Sequence, residues 1–232
     1  MVLQGFLLFG FNYFFVYISE QYLTSGIVAA GFSLVIFLNA IFGAIFLKVP
    51  LNPVVIISGF IGVSGVLLIF KDDIEALSLS SDSFRGMIYC ILSVVFASLG
   101  NITSAYNQRK KLPVIQTNMY GMLYGAIILI LTAFVSGGKI SFDTSIPYIG
   151  SLLYLAIFGS VLAFGTYLKL IGEIGPDKAA FVLSVVPLIA LIISSVFEDL
   201  EWTIFTISGT IMIIIANYIT LAKRTKLKYS TK

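Results

Sequence analysis

Residues 25–47 read SGIVAAGFSLVIFLNAIFGAIFL, an unbroken run without a formal charge, closed on one side by Lys48. A helix needs about 20 such residues to cross a hydrocarbon core of about 30 Å. This run exceeds the minimum, which implies tilt or an interfacial end.

Working outward, comparable runs fall at 2–19, 53–70, 84–106, 115–136, 146–170, 179–197 and 202–222, giving eight spans in 232 residues. Only 11% of residues are charged and 59% are hydrophobic, where a soluble domain carries about 25% charged residues. Mean hydropathy is +1.04. The fold class expected is an all-α polytopic membrane protein. Pro50, Pro53, Pro113, Pro147 and Pro176 stand at or near span ends, where a missing N–H costs little. Pro187 alone lies inside a span and is expected to kink it. No basic residue precedes the first run and Glu20-Gln21-Tyr22 follows it, so it reads as a retained span, not a cleaved leader.

Lysine and arginine sort by side. With the amino terminus in the cytoplasm, Lys48, Arg109, Lys110, Lys111, Lys169, Lys178 and the tail residues Lys223, Arg224, Lys226, Lys228 and Lys232 fall inside; only Lys71, Arg85 and Lys139 fall outside. The opposite orientation would invert this ratio, against the positive-inside tendency. Acidic residues concentrate on the other face: only Glu173 and Asp177 lie inside. Both termini are thus expected in the cytoplasm, in a multi-pass protein of the cell membrane. The polar, serine-rich stretch 71–83 is the expected boundary between a first part, 1–70, and a second, 84–222, with a basic tail at 223–232. Ile74, Ala76, Leu77 and Leu79 would let a short part of that loop lie on the membrane surface.

Absences narrow the chemistry. The chain has no histidine, the commonest general base and metal ligand, and one cysteine, Cys90. No carboxylate lies at mid-span and no GxSxG occurs, so the hydrolytic constellations built on Ser/His pairs or paired aspartates are missing. An enzyme is not expected, nor a cofactor or metal. The scattered basic residues form no aromatic-interleaved patch, which excludes nucleic acid as a partner.

A faint internal echo appears on shifting the chain by 151 residues. Tyr22–Ile36 then lies over Glu173–Pro187, with Ala29 on Ala180 and Ser33 on Ser184; with a one-residue gap, Gly59 meets Gly209. The paired spans have opposite topology, as in inverted-repeat carriers, whose substrate sites lie near the midplane between halves. So few identities over 15 positions are also within what apolar helices share by chance.

The run Phe11-Asn12-Tyr13-Phe14-Phe15-Val16-Tyr17-Ile18-Ser19-Glu20-Gln21-Tyr22-Leu23-Thr24-Ser25-Gly26-Ile27-Val28-Ala29-Ala30 resembles the third-to-fourth helix stretch of bacterial EamA-type members of the drug/metabolite transporter superfamily. Gly59-Phe60-Ile61-Gly62-Val63-Ser64-Gly65-Val66 is similar to the glycine-rich helix closing a repeat in that family. Ala179-Ala180 through Ser184-Val185-Val186-Pro187 resembles its penultimate helix, and Glu198 with Gly209 its last. The resemblance implies two five-helix inverted repeats, with 1–70 as a partial first repeat and 84–222 as the second. Leu47-Lys48 stands where a Lys/Arg-Glu pair is common, and Ile36 where a proline is common. Only three helices precede the 71–83 loop instead of five, so the family's first two helices are expected to be missing, through a fragment, a misplaced start or a degenerate copy.

Inside the spans the polar residues are neutral. Candidates for a solute path are Asn12, Tyr13, Tyr17, Asn39, Asn101, Tyr124, Tyr167 and Ser184, with Pro187 as a gating bend. Tyr13 and Tyr17 share one helix face at i, i+4. Asn101 shares a small and polar stripe with Ser93, Ala97 and Ser104. An amide donates and accepts, so several of them can hold a polar solute stripped of water; tyrosines add a flat wall with a hydroxyl rim. Each has a plainer reading as well. Membrane asparagines also bond helix to helix, and Tyr106, Tyr148 and Tyr218 near span ends read as interfacial residues. Gly121-x-x-x-Gly125 reads as close helix packing, and Lys169 as a snorkelling cation before an anion site. Asn101-Ile102-Thr103 matches a glycosylation pattern but lies within a span. Arg109-Lys110-Lys111 reads as a topology anchor.

The expectation is a carrier that moves a small metabolite, amino-acid-like or another small organic solute, outward by alternating access. Its partners would be the solute and the bilayer, with a homodimer left open. The alternative is a non-transporting or truncated bundle acting as an assembly partner. A sugar-phosphate exchanger ranks below both, because no mid-span lysine or arginine faces a phosphate.

Overall fold

The computed structural model describes residues 1–51, 53–69, 71, 82–135, 137, 142–179, 186–197 and 202–224. Among these there is no strand. The helices are α1 (Val2–Ser19), α2 (Ser25–Leu47), α3 (Pro53–Ile69), α4 (Asp82–Arg109), α5 (Val114–Val135), α6 (Ile146–Ile174), α7 (Val186–Phe197) and α8 (Ile204–Arg224). A four-residue helical turn, Pro176–Ala179, precedes α7. Of these, α1, α2, α4, α5 and α6 are long and apolar enough to cross a membrane by length and composition. The all-α polytopic expectation holds.

Two helices outrun their apolar stretch, and tertiary bonds explain one of them. Beyond Tyr106, Asn107 donates to Gln4 Oε1 (2.9 Å), Gln108 to the Leu168 carbonyl (2.7 Å) and Arg109 to the Leu47 carbonyl (2.8 Å), which carries α4 to Arg109. α6 continues to Ile174 and stops at Gly175, whose φ of 91° suits glycine. Pro187 is the second residue of the described part of α7; residues 180–185, and with them the expected kink, lie outside the described residues, as does the loop segment 72–81.

Small residues set how close the helices come. A Cβ on Gly65 of α3 would lie 2.7 Å from the Gly209 carbonyl of α8, and one on Gly5 of α1 would lie 2.5 Å from the Gly121 carbonyl of α5. Without a strong hydrophobic drive between helices in lipid, such backbone approach is what gives van der Waals contact its strength. α2 runs between α7 and the Pro176–Ala179 turn. Its start meets the end of α7, where the Gly26 N–H donates to Ser194 Oγ at 2.7 Å. Its far half meets that turn, where Asn39 Nδ2 donates to the Pro176 carbonyl at 3.1 Å.

Charge marks the two ends of the bundle. Lys48, Arg109, Lys110, Lys111 and Lys169 lie toward one, the basic end; Glu20, Asp82 and Asp143 lie toward the other. α4 runs through the middle, with half of its most apolar window buried, whereas none of the corresponding window of α6 is buried.

Candidate functional site

α4 supplies the centre of the site. Its stripe of Ser93, Ala97, Ser98, Asn101 and Ser104 is buried, and these short side chains let α1, α2 and α6 come close. Ser98 Oγ donates to Asn39 Oδ1 of α2 at 2.8 Å. Asn101 Nδ2 donates to the same oxygen at 3.5 Å and to Tyr167 Oη of α6 at 3.3 Å. Three helices and the Pro176 turn are thereby joined by one uncharged polar cluster.

Two cavities border this cluster. On one side lies a chamber of about 640 Å³ formed by α1, α2, α4, α6 and α7, with Asn12, Phe32, Val35, Asn101, Phe164 and Tyr167 among its walls and no charged residue among the described ones. On the other side a cleft of about 620 Å³ opens at the basic end and holds Asn39, Gln108, Arg109, Lys169 and Glu173. Asn39 borders the cleft while its partners Asn101 and Tyr167 border the chamber.

Local backbone helps to shape the chamber. Gly5–Phe11 in α1 and Leu155–Phe164 in α6 wind as wide π turns, a feature enriched at functional sites. They contribute Leu8 from one side and Ala163 and Phe164 from the other. The Asn12 backbone N–H reaches five residues back to the Leu7 carbonyl, and its side-chain Nδ2 donates to the Leu8 carbonyl at 3.1 Å. That leaves Asn12 Oδ1 and Asn101 Oδ1 buried without a hydrogen-bond partner. Buried acceptors without a donor are uncommon and costly.

Of the residues singled out in the sequence, Asn12, Asn101 and Tyr167 share the chamber, and Asn39 joins them from the cleft. Tyr13 stands beside them: its ring lies 6.2 Å from that of Phe164, edge-on, and 6.0 Å from that of Tyr17, stacked. Tyr17 is 59% exposed. Tyr124 sits on α5, its Cβ close behind Gly5 of α1. Ser184 lies outside the described residues. The sequence reading missed Ser98, which was legible as the hydroxyl three positions before Asn101. It also missed the Phe32 and Phe164 walls and the Pro176 carbonyl, for which an apolar run gives no signal.

Comparison with known proteins identifies this bundle. The EamA-like transporter family model matches residues 84–222, more than half of the chain. The chain belongs to the EamA-like transporter family. Among the relatives of this EamA-like chain is one named "Uncharacterized transporter YyaM" of Bacillus subtilis (strain 168), 27% identical over 212 residues, or 90% of this chain and 68% of that protein. Another, named "Uncharacterized inner membrane transporter YedA" of Escherichia coli (strain K12), is 26% identical over 151 residues, or 61% of this chain. The match spans only 46% of that relative's length. An archaeal relative from Archaeoglobus fulgidus, named an uncharacterized transporter, is 22% identical over 94% of this chain and 76% of its own. A solved crystal structure superimposes with a TM-score of 0.67 at 14% identity, covering 97% of this chain and 78% of the other; at that identity the likeness speaks for the fold alone. The EamA-like chain is a multi-pass membrane protein.

Proposed function

We propose that this EamA-like chain carries a small organic metabolite, amino-acid-like or of similar size, out across the cytoplasmic membrane by alternating access. The basic end, with both termini, is cytoplasmic. Segments 1–70 and 84–222 are the two unequal halves, and 71–83 links them outside. One observation carries this reading: the Asn39–Ser98–Asn101–Tyr167 cluster borders a mid-bundle chamber on one face and a cleft at the basic end on the other. A carrier needs such a removable barrier between its binding site and one side of the membrane. Neutral hydrogen bonds suit that role, because each is worth about 0.6 kcal/mol, up to about 1.7, between membrane helices.

The test is flux. Purified protein in sealed vesicles should accelerate equilibration of at least one labelled solute from a panel of amino acids, amides and amines. Asn101→Leu should abolish the gain. Rates equal to those of empty vesicles across the panel would remove the carrier reading. They would favour an assembly role, for which the bare window of α6 would supply a face.

A further inference from the structure

We infer that the cleft at the basic end captures its solute as a zwitterion, with Arg109 taking the carboxylate and Glu173 the ammonium. The inference rests on the carrier reading only for its setting. It names the charge pattern of the solute and the residues that read it.

The reasoning starts from a carboxylate in an unfavourable place. Glu173 stands in the last turn of α6, one residue before the helix closes at Ile174. A helix C-terminus is the negative pole of its dipole, so a carboxylate there opposes the fold. Lys169 lies four residues earlier, and lysine before glutamate is the weaker order for such a pair. Among the described residues, neither side chain makes a hydrogen bond or an ion pair. Glu173 is also one of only two acidic residues expected at the basic end, the other being Asp177. The helix gains nothing from it, yet it lines the cleft. Residues that break local rules in this way concentrate at functional sites.

The opposite pole is anchored on α4. Arg109 Nη1 donates to the Leu47 carbonyl at 2.8 Å, which fixes the guanidinium by one donor and leaves the rest of its N–H fork for a carboxylate. Arg109 and Glu173 flank one packing contact. Gln108 rests against Gly172, so close that a Cβ there would overlap its amide, and its Nε2 donates to the Leu168 carbonyl at 2.7 Å. Arg109 follows Gln108 and Glu173 follows Gly172, each with its Cα about 3.8 Å further along the chain. Both line the cleft, and no ion pair closes between them. A plain anion would meet Glu173 and the negative end of α6; a plain cation would meet Arg109 and Lys169. Only a solute with both charges sets each against its opposite. Lys169 adds to the positive field, while Arg109 supplies the directed donors. Ala40, Val49, Ala105, Ile171 and Ile174 give the cleft an apolar wall for the solute's side chain.

Three probes with one body decide the matter: L-leucine, 4-methylpentanoate, which lacks the ammonium, and isoamylamine, which lacks the carboxylate. Each is titrated by calorimetry onto the detergent-purified full chain at low salt. Leucine should bind about fivefold tighter than either analogue, a modest factor because open charges are screened. Glu173→Gln should bring leucine and 4-methylpentanoate to within about twofold of each other, and Glu173→Lys should put 4-methylpentanoate first. Glu173 is exposed, so both variants should melt close to the parent. Leucine no tighter than either analogue overturns the inference. So does leucine affinity unchanged in Glu173→Gln, or leucine that fails to bind at about 10 mM. Vesicle flux separates the two readings. Leucine bound in the expected order but never moved keeps the cleft and removes the carrier; a panel solute moved while leucine shows no such order keeps the carrier and removes the cleft.

Discussion

The chamber and the cleft are nearly equal in volume, about 640 and 620 Å³, yet among the described residues one is lined without a charge and the other holds Arg109, Lys169 and Glu173. Depth explains the difference. A charged side chain at the bilayer centre costs about 2.5–3.5 kcal/mol even on the lenient insertion scale. Near a span end the same side chain can reach headgroups and water. In the carrier proposed above, discrimination within the chamber would rest on neutral groups, whereas the cleft would act by field.

The sharpest way to break this comparison is to remove the wall between the two spaces. Asn39→Leu deletes the oxygen on which Ser98 and Asn101 converge and the donor to Pro176. The loss should be about 2 kcal/mol, three bonds at membrane values with Ser98 and the Pro176 carbonyl left unpartnered and Asn101 keeping only Tyr167. Thermal unfolding followed with a thiol-reactive dye at the buried free Cys90 measures it; a change below about 0.5 kcal/mol would mean the cluster does not hold the helices. Ser98→Ala removes the shortest bond in the cluster and should cost about 1 kcal/mol in the same assay. Tyr167→Phe leaves Asn101 its Asn39 bond, so stability should fall by less than about 1 kcal/mol while the affinity of the chamber solute changes more than the melting point does. Smallest is Lys169→Gln in the cleft, within about 0.5 kcal/mol in stability. Flux in vesicles should then lose part of its ionic-strength dependence with its chamber specificity intact. An altered solute ranking in that variant would show that the two spaces are not chemically separate.

The architecture was plain in the residues because long uncharged runs admit few alternatives in lipid. Helix ends were less so. α4 reaches Arg109 on the strength of partners in α1, α2 and α6, and no local pattern announces a partner 60 or more residues away. The site was half visible. Asn12, Asn39, Asn101 and Tyr167 stood out as polar groups in apolar runs. Tyr17 and Tyr124 looked the same and lie off the chamber, because a helix that is apolar all round carries little mark of which face turns inward. Ser98 was overlooked because a membrane serine so often bonds its own backbone, as Ser58 does to Val54 and Ser93 to Cys90.

The Gly65–Gly209 contact bears on how such a bundle could move. Main chain rests on main chain where α3 and α8 meet, with the Ile69 and Ile213 side chains packed beside the contact, so the two helices have little room to slip past each other there. They would pivot about that point like the blades of scissors on a rivet, and a leucine driven in at either glycine would jam the hinge while leaving every residue that lines the chamber or the cleft untouched.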